Sequence, residues 1–275
     1  MMFLLLAIWI ILMRLVIYSL SVKNKRKIYT IAIFIPIFLL LAFKGLNVGT
    51  DTPVYVDMYK AFNGNFESTL KIYKIETGFG VLLYFLNKIS SNPQLLFIVE
   101  GIIVSFFYGA FFYKKASNLL LAILAYLAFG LFAFQLTGIR QSIAMALCIL
   151  SFKCIEEKRI FKFLGIIIVS SLFHTSALFF IPAYFVGNIK CSSKSRNLIL
   201  VIGLLVGLNL DRFLNLMGNI SERYTAYGIE STGNGWIFFL IVLLITIFME
   251  FFKDKIIMKN QRLSIYFNIN YISCI

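Results

Sequence analysis

The single histidine of the chain, His174, stands in a polar stretch made by Ser170, Ser171, His174, Thr175 and Ser176, with apolar runs on both sides. An imidazole exchanges protons near neutral pH, so His174 could serve as a general base; a histidine between membrane helices equally well holds them together by hydrogen bonds. A second polar knot comprises Gln135, Thr137, Gly138, Arg140, Gln141 and Ser142. Arg140 falls where a helix is predicted to begin, and a guanidinium beside free N–H groups is an anion seat that grips a phosphate with two parallel bonds. An arginine at that depth also binds lipid headgroups. The remaining candidates are carboxylates, with Asp51, Asp57, Glu67 and Glu76 between residues 45 and 93. One histidine excludes a histidine-rich zinc site, the four cysteines lack ligand spacing, and no metal or cofactor is implied. No phosphate-cradling glycine loop, dinucleotide fingerprint, nucleophile elbow or internal repeat is found.

The elements that must position these residues are read from composition. Of 275 residues, 60% are hydrophobic and 14% charged, with a mean hydropathy of +0.89, more apolar surface than a water-soluble core requires. Apolar runs long enough to cross about 30 Å of hydrocarbon as helices recur along the chain. The expected fold is all-α: a polytopic bundle of about nine transmembrane or re-entrant helices with two long extracytoplasmic loops, forming one integral membrane domain over 1–275. The segments are Met1–Leu20, Ile28–Phe43, Gln94–Tyr113, Leu119–Leu136, Ile139–Phe152, Ile160–Phe173, Ala177–Val186, Leu198–Leu210 and Trp236–Phe252. Met1–Leu20 lacks a basic start and a cleavage site, and is read as the first membrane helix.

The net charge of +14 does not point to nucleic acid, because the basic residues stand in short clusters between apolar runs. Seventeen of the 26 Lys and Arg fall in clusters at 23–27, 114–115, 153–162, 190–196 and 253–262, which assigns those sides to the cytoplasm and the N-terminus to the outside. Ile160–Val186 must then enter and return, with His174, Thr175 and Ser176 at the turn; a single long helix would leave Lys190, Lys194 and Arg196 outside. The outer loops are Gly45–Pro93 and Asp211–Gly235. In the first, Asn47, Gly49, Asp51, Thr52 and Pro53 read as a turn. Phe79–Ile89, with apolar residues near helical spacing, reads as an amphipathic helix at the outer interface. Arg14, Lys44 and Glu250 are read as interfacial anchors. Glu100, two turns into the third span, is read equally as functional or as a bundle-facing hydrogen-bonding group. Cysteines near the cytoplasmic half predict no disulfide.

Four stretches together, VGTDTPVY (Val48–Tyr55), ETGFGVL (Glu76–Leu82), GIRQSIAMAL (Gly138–Leu147) and LFHTSALFFIP (Leu172–Pro182), resemble, in order and placement, the EpsG family of Wzy-like polysaccharide polymerases. The resemblance implies a multi-pass protein of the bacterial cytoplasmic membrane. Its implied activity is that of an extracytoplasmic, metal-independent glycosyltransferase polymerising undecaprenyl-diphosphate-linked oligosaccharide units into exopolysaccharide or capsule. Its partners would be that lipid-linked donor, membrane lipid, and a chain-length regulator and flippase of the same pathway. Arg140 would hold the diphosphate, with Arg212 and Arg223 from the second outer loop; His174, Asp51 and Glu76 compete for the role of base, with Gln141 and Thr175 as supporting polar groups. The alternatives are a flippase or exporter of lipid-linked sugars and a membrane O-acyltransferase of the same pathway. The family continues with further helices, whereas 253–275 reads as a cytoplasmic tail without a clear span; that departure predicts a C-terminal truncation that would spare the fold core and put the activity in question.

Overall fold

The computed structural model describes residues 1–62, 66–188, 244–252, 255 and 263–273. Leu198–Leu210, the loop Asp211–Gly235, Arg212 and Arg223 lie outside the described residues, as does part of Trp236–Phe252. The described residues are helical, with no strand among them. They group into two compact units, Met1–Cys154 with Arg159–Ile181, and Ile155–Lys158 with Pro182–Ile275.

In the first unit, helix α1 (Met2–Ser19) and α2 (Lys25–Ala42) pair side by side, followed by α3 (Thr52–Ala61), α4 (Phe66–Tyr73), α5 (Thr77–Ile89) and α6 (Gln94–Lys115). Helix α2 shows what solvates the bundle. Tyr29, Ile33, Ile37 and Leu41 recur at helical spacing on its buried face, while Ile28, Ile31, Ile35 and Leu39 form an equally apolar stripe that is exposed. A helix apolar on both faces needs hydrocarbon outside it. Helices α1 and α6 are long and apolar enough to cross a membrane. Small residues let α2 and α6 approach: a Cβ on Gly101 would stand 3.3 Å from the Ala42 nitrogen, and one on Gly109 would stand 3.2 Å from the Phe34 ring.

The two ends of this bundle differ chemically. At one, Arg26 caps the C-terminus of α6, its Nε donating to the Tyr113 carbonyl at 2.8 Å and its Nη2 to that of Phe112 at 3.2 Å. This brings the first two basic clusters together. At the other end, Gln94 at the start of α6 donates to the Ala42 carbonyl at the end of α2.

The run Leu119–Leu136 is two helices rather than one span, α7 (Leu119–Ala128) and α8 (Leu131–Gln135). Gly130, at φ +73°, adopts the left-handed conformation that interrupts the hydrogen-bond ladder. The chain then turns into α9 (Ile139–Glu156). Helix α10 (Ile160–Ser171) stops at Leu172, and a 3₁₀ turn (Thr175–Phe180) brings Phe180 back to 6.3 Å from Phe163. The Ile160–Phe180 stretch is therefore broken and returning, not a single long helix.

The stretch 45–93, read from the sequence as the first outer loop, is largely helical over its described residues. Alongside α5, it contains α3, which starts at Thr52 after Asp51 with Pro53 in its first turn, and α4. Tyr55, Val56, Tyr59 and Phe62 of the α3 region pack with Phe79, Leu83 and Leu86 of α5. Val81, Phe85 and Ile89, the opposite face of α5, are exposed, as an interfacial helix requires.

In the second unit, α11 (Pro182–Asn188) packs against a helix over Leu263–Ser273. The tail is thus partly helical, tied by the Tyr266 hydroxyl donating to Glu156 Oε1 at 2.6 Å and Asn268 donating to the Val186 carbonyl at 3.3 Å.

Candidate functional site

Four stretches far apart in sequence meet within the first unit, and glycine permits two of the contacts. Gly49, at φ +95°, lies so close to the α8–α9 turn that a Cβ would stand 2.7 Å from the Leu136 carbonyl oxygen. A Cβ on Gly78 would stand 2.7 Å from Leu172 Cβ, and the next residue, Phe79, donates its N–H to the Leu172 carbonyl at 3.1 Å. The 48–55 loop thereby docks on the start of α9, and the start of α5 docks on the break after α10.

Glu76, the residue before α5, is the centre of the arrangement. Its Oε2 accepts from Arg140 Nη1 at 2.7 Å. Its Oε1 accepts from the Thr175 hydroxyl at 3.0 Å and the Thr175 N–H at 3.3 Å, and lies 3.3 Å from His174 Nδ1. His174 Nε2 is 2.9 Å from the Gln141 amide nitrogen. The protonation that suits both ring nitrogens places a proton on Nδ1 facing Glu76 and leaves Nε2 accepting from Gln141. Nδ1 is buried and off the hydrogen-bond line to Oε1.

The Glu76 side chain is 8% exposed. Burial alone would push its carboxyl up, but the His174 ring beside it, hydrogen bonds from its own backbone and Thr175, and the Arg140 charge more than offset this and hold it well below the usual carboxylate range. Glu76 is therefore a fixed anion, one that orients Arg140 and His174 together. Arg140 also meets Tyr55, its guanidinium carbon 5.9 Å from the ring centroid. Burial pushes the Tyr55 hydroxyl up, against the pull of Arg140. The buried Nε of Arg140 has no hydrogen-bond partner, so one donor of the planar fork is uncommitted.

Of the sequence candidates, Arg140, Glu76, His174, Gln141 and Thr175 form one contiguous cluster. Asp51 stands to its side: its N–H donates to the Thr137 hydroxyl at 3.2 Å, its carboxylate accepts from Thr50 at 3.3 Å, and it is exposed. Tyr55, which ends the first motif, and Thr137, from the second polar knot, join the site through contacts that residue type does not signal. Lys44 is not an interfacial anchor. It is 1% exposed, its Nζ 3.2 Å from Glu100 Oε2 and donating to the Leu136 carbonyl at 2.9 Å; desolvation forbids leaving either charge unpaired. Glu100 faces the bundle as an ion-pair partner.

The family comparison bears on this cluster as a whole, since the EpsG family model matches residues 27–275, all four stretches included. The chain belongs to the EpsG family. This EpsG-family chain is accordingly a membrane protein of polysaccharide synthesis. No curated protein and no solved structure matches it.

Proposed function

We propose that this EpsG-family protein is a polymerase joining undecaprenyl-diphosphate-linked oligosaccharide units into exopolysaccharide or capsule at the outer face of the bacterial cytoplasmic membrane, working as one integral membrane domain. The observation that carries the reading is the Arg140–Glu76–His174 cluster, a cation for a leaving diphosphate and a base for a hydroxyl held by one carboxylate. In the reaction the acceptor hydroxyl displaces the Gln141 amide at His174 Nε2 and loses its proton there. The sugar oxygen bonds to the anomeric carbon while the bond to the diphosphate breaks. The leaving oxygen takes the electron pair, and its charge falls to Arg140 through the uncommitted Nε–H. Glu76 keeps both groups in register and does not itself take the proton, because a carboxylate so well stabilised is a weak base.

Polar groups gathered at one end of the bundle favour chemistry at a surface over passage of a lipid-linked sugar, which calls for polar groups near mid-membrane. The test is a strain lacking its own polymerase, supplied with this chain. A restored ladder of polymer lengths supports the reading. Lipid-linked single units with no ladder would overturn it; restored flipping of those units in a strain lacking its flippase would instead indicate a flippase, and transfer dependent on an acyl donor an O-acyltransferase. A chain-length regulator and a flippase of the pathway would then be its neighbours in the membrane.

The orientation follows from the basic end at Arg26 and Lys114 being cytoplasmic. Reporter fusions within 51–76 should give an extracytoplasmic signal, as should fusions at the N-terminus, and those near Lys253 a cytoplasmic one. A cytoplasmic signal from 51–76 would place the cluster on the wrong side for this chemistry.

A further inference from the structure

Beneath the cluster lies a buried ion pair that the mechanism above does not use. The Lys44 ammonium follows α2 and meets three groups: Glu100 Oε2 at 3.2 Å, the Leu136 carbonyl oxygen at 2.9 Å, and the face of Phe97 with its centroid at 4.9 Å. Lys44 and Glu100 are 1% and 0% exposed at their side chains. A charge pair in such surroundings gives little net stability compared with apolar residues of the same volume, so its stability alone does not account for it. What the pair does hold is Leu136. The same carbonyl is also approached by the Thr52 hydroxyl at 3.5 Å and by Gly49. The adjoining Thr137 hydroxyl binds Thr50 at 2.9 Å and the Asp51 N–H at 3.2 Å. Three residues after Thr137, the chain carries Arg140.

We propose that Lys44 and Glu100 act as a pin: the ammonium, held by the carboxylate, fixes the Leu136 carbonyl and with it the turn from which Arg140 rises and on which the 48–55 loop sits. Glu100 and Lys44 are positioning residues, touching no substrate. Leu136 is a point where the buried pair and the 48–55 loop meet, so displacing it shifts Arg140 and Tyr55 together. As far as polymer synthesis is concerned, the inference rests on the polymerase reading.

The experiment compares the wild type with the double variant Lys44→Met/Glu100→Met. Lys44→Met alone leaves a buried unpaired carboxylate and is expected to reduce the amount of protein in the membrane. The double variant removes both charges and should accumulate normally, but it has no donor for Leu136. Placement of the turn is read without any activity by Thr50→Cys/Thr137→Cys, whose parent hydroxyls are 2.9 Å apart; the disulfide between those two peptides is measured by mass spectrometry. The expected result is normal accumulation, disulfide formation slowed about tenfold, and polymer synthesis lowered by up to about a hundredfold, the loss that small misplacements bring. Unchanged cross-linking in the double variant would overturn the pin, as would slowed cross-linking with undiminished synthesis. If the wild type makes no polymer, the polymerase reading fails, while the cross-linking arm still decides whether the pair holds the turn.

Discussion

Arg140→Lys is expected to lower polymer synthesis by about a hundredfold or more while leaving the protein in the membrane at its normal level. The reason is the division of labour within one guanidinium. Nη1 is committed to Glu76 at 2.7 Å, whereas Nε is buried without a partner, so a planar fork can bind the carboxylate and a diphosphate at once. An ammonium is a point donor on a flexible stem; it can follow Glu76 or the diphosphate, but cannot hold a rigidly placed N–H on the second while bound to the first. A headgroup anchor would tolerate lysine, since charge alone serves there. Glu76→Gln should cost nearly as much, because it removes the anion that orients both Arg140 and Thr175. The combined variant should be little worse than the poorer single one, as groups acting as a unit are not additive. Ladder length and protein level in membranes measure all three. A normal ladder from Arg140→Lys would return Arg140 to the role of lipid anchor.

What was legible in the sequence follows from the range of the interactions concerned. Helices α1, α2 and α6 begin and end close to where the apolar runs do, because in hydrocarbon each must satisfy its own backbone and the run length sets the helix. The α7–α8 break was not legible: Gly130 lies among apolar residues, where a glycine is ordinarily carried within a helix, and only its left-handed φ ends one. Helices α3 and α4 were hidden for the opposite reason. They are short and half-polar, and are held by packing on α5 rather than by their own periodicity. Residue type marked Arg140, His174 and Glu76 as able to do chemistry, but not that one carboxylate would serve both others, since Glu76 reaches Arg140 across 64 positions and Thr175 across 99. Lys44 was misjudged on the same ground. At the end of an apolar run a lysine ordinarily reaches water, and its burial is set by Glu100, 56 residues away on a neighbouring helix.

His174→Ala is expected to reduce synthesis by about a hundredfold to ten-thousandfold, the range spanned by positioned proton transfer. The geometry also separates the chemical role from a structural one. Nε2 faces Gln141 and Nδ1 faces Glu76, so His174→Gln retains an amide able to bond on both sides and should keep the 172–175 break in place, yet it takes no proton. If His174 only holds the elements together, glutamine restores the ladder; if it is the base, glutamine is as inactive as alanine while the protein accumulates normally. The pH dependence bears on the same choice. Because the Glu76 carboxyl is held well below the usual carboxylate range, what its charge contributes is fully present above that range and is lost only as the pH falls through the depressed value. Any acid decline in rate nearer neutrality therefore belongs to another group. A ladder of normal length from His174→Gln and His174→Ala alike would remove the imidazole from the chemistry and leave Asp51, exposed beside Thr50 and Thr137, as the carboxylate to substitute next.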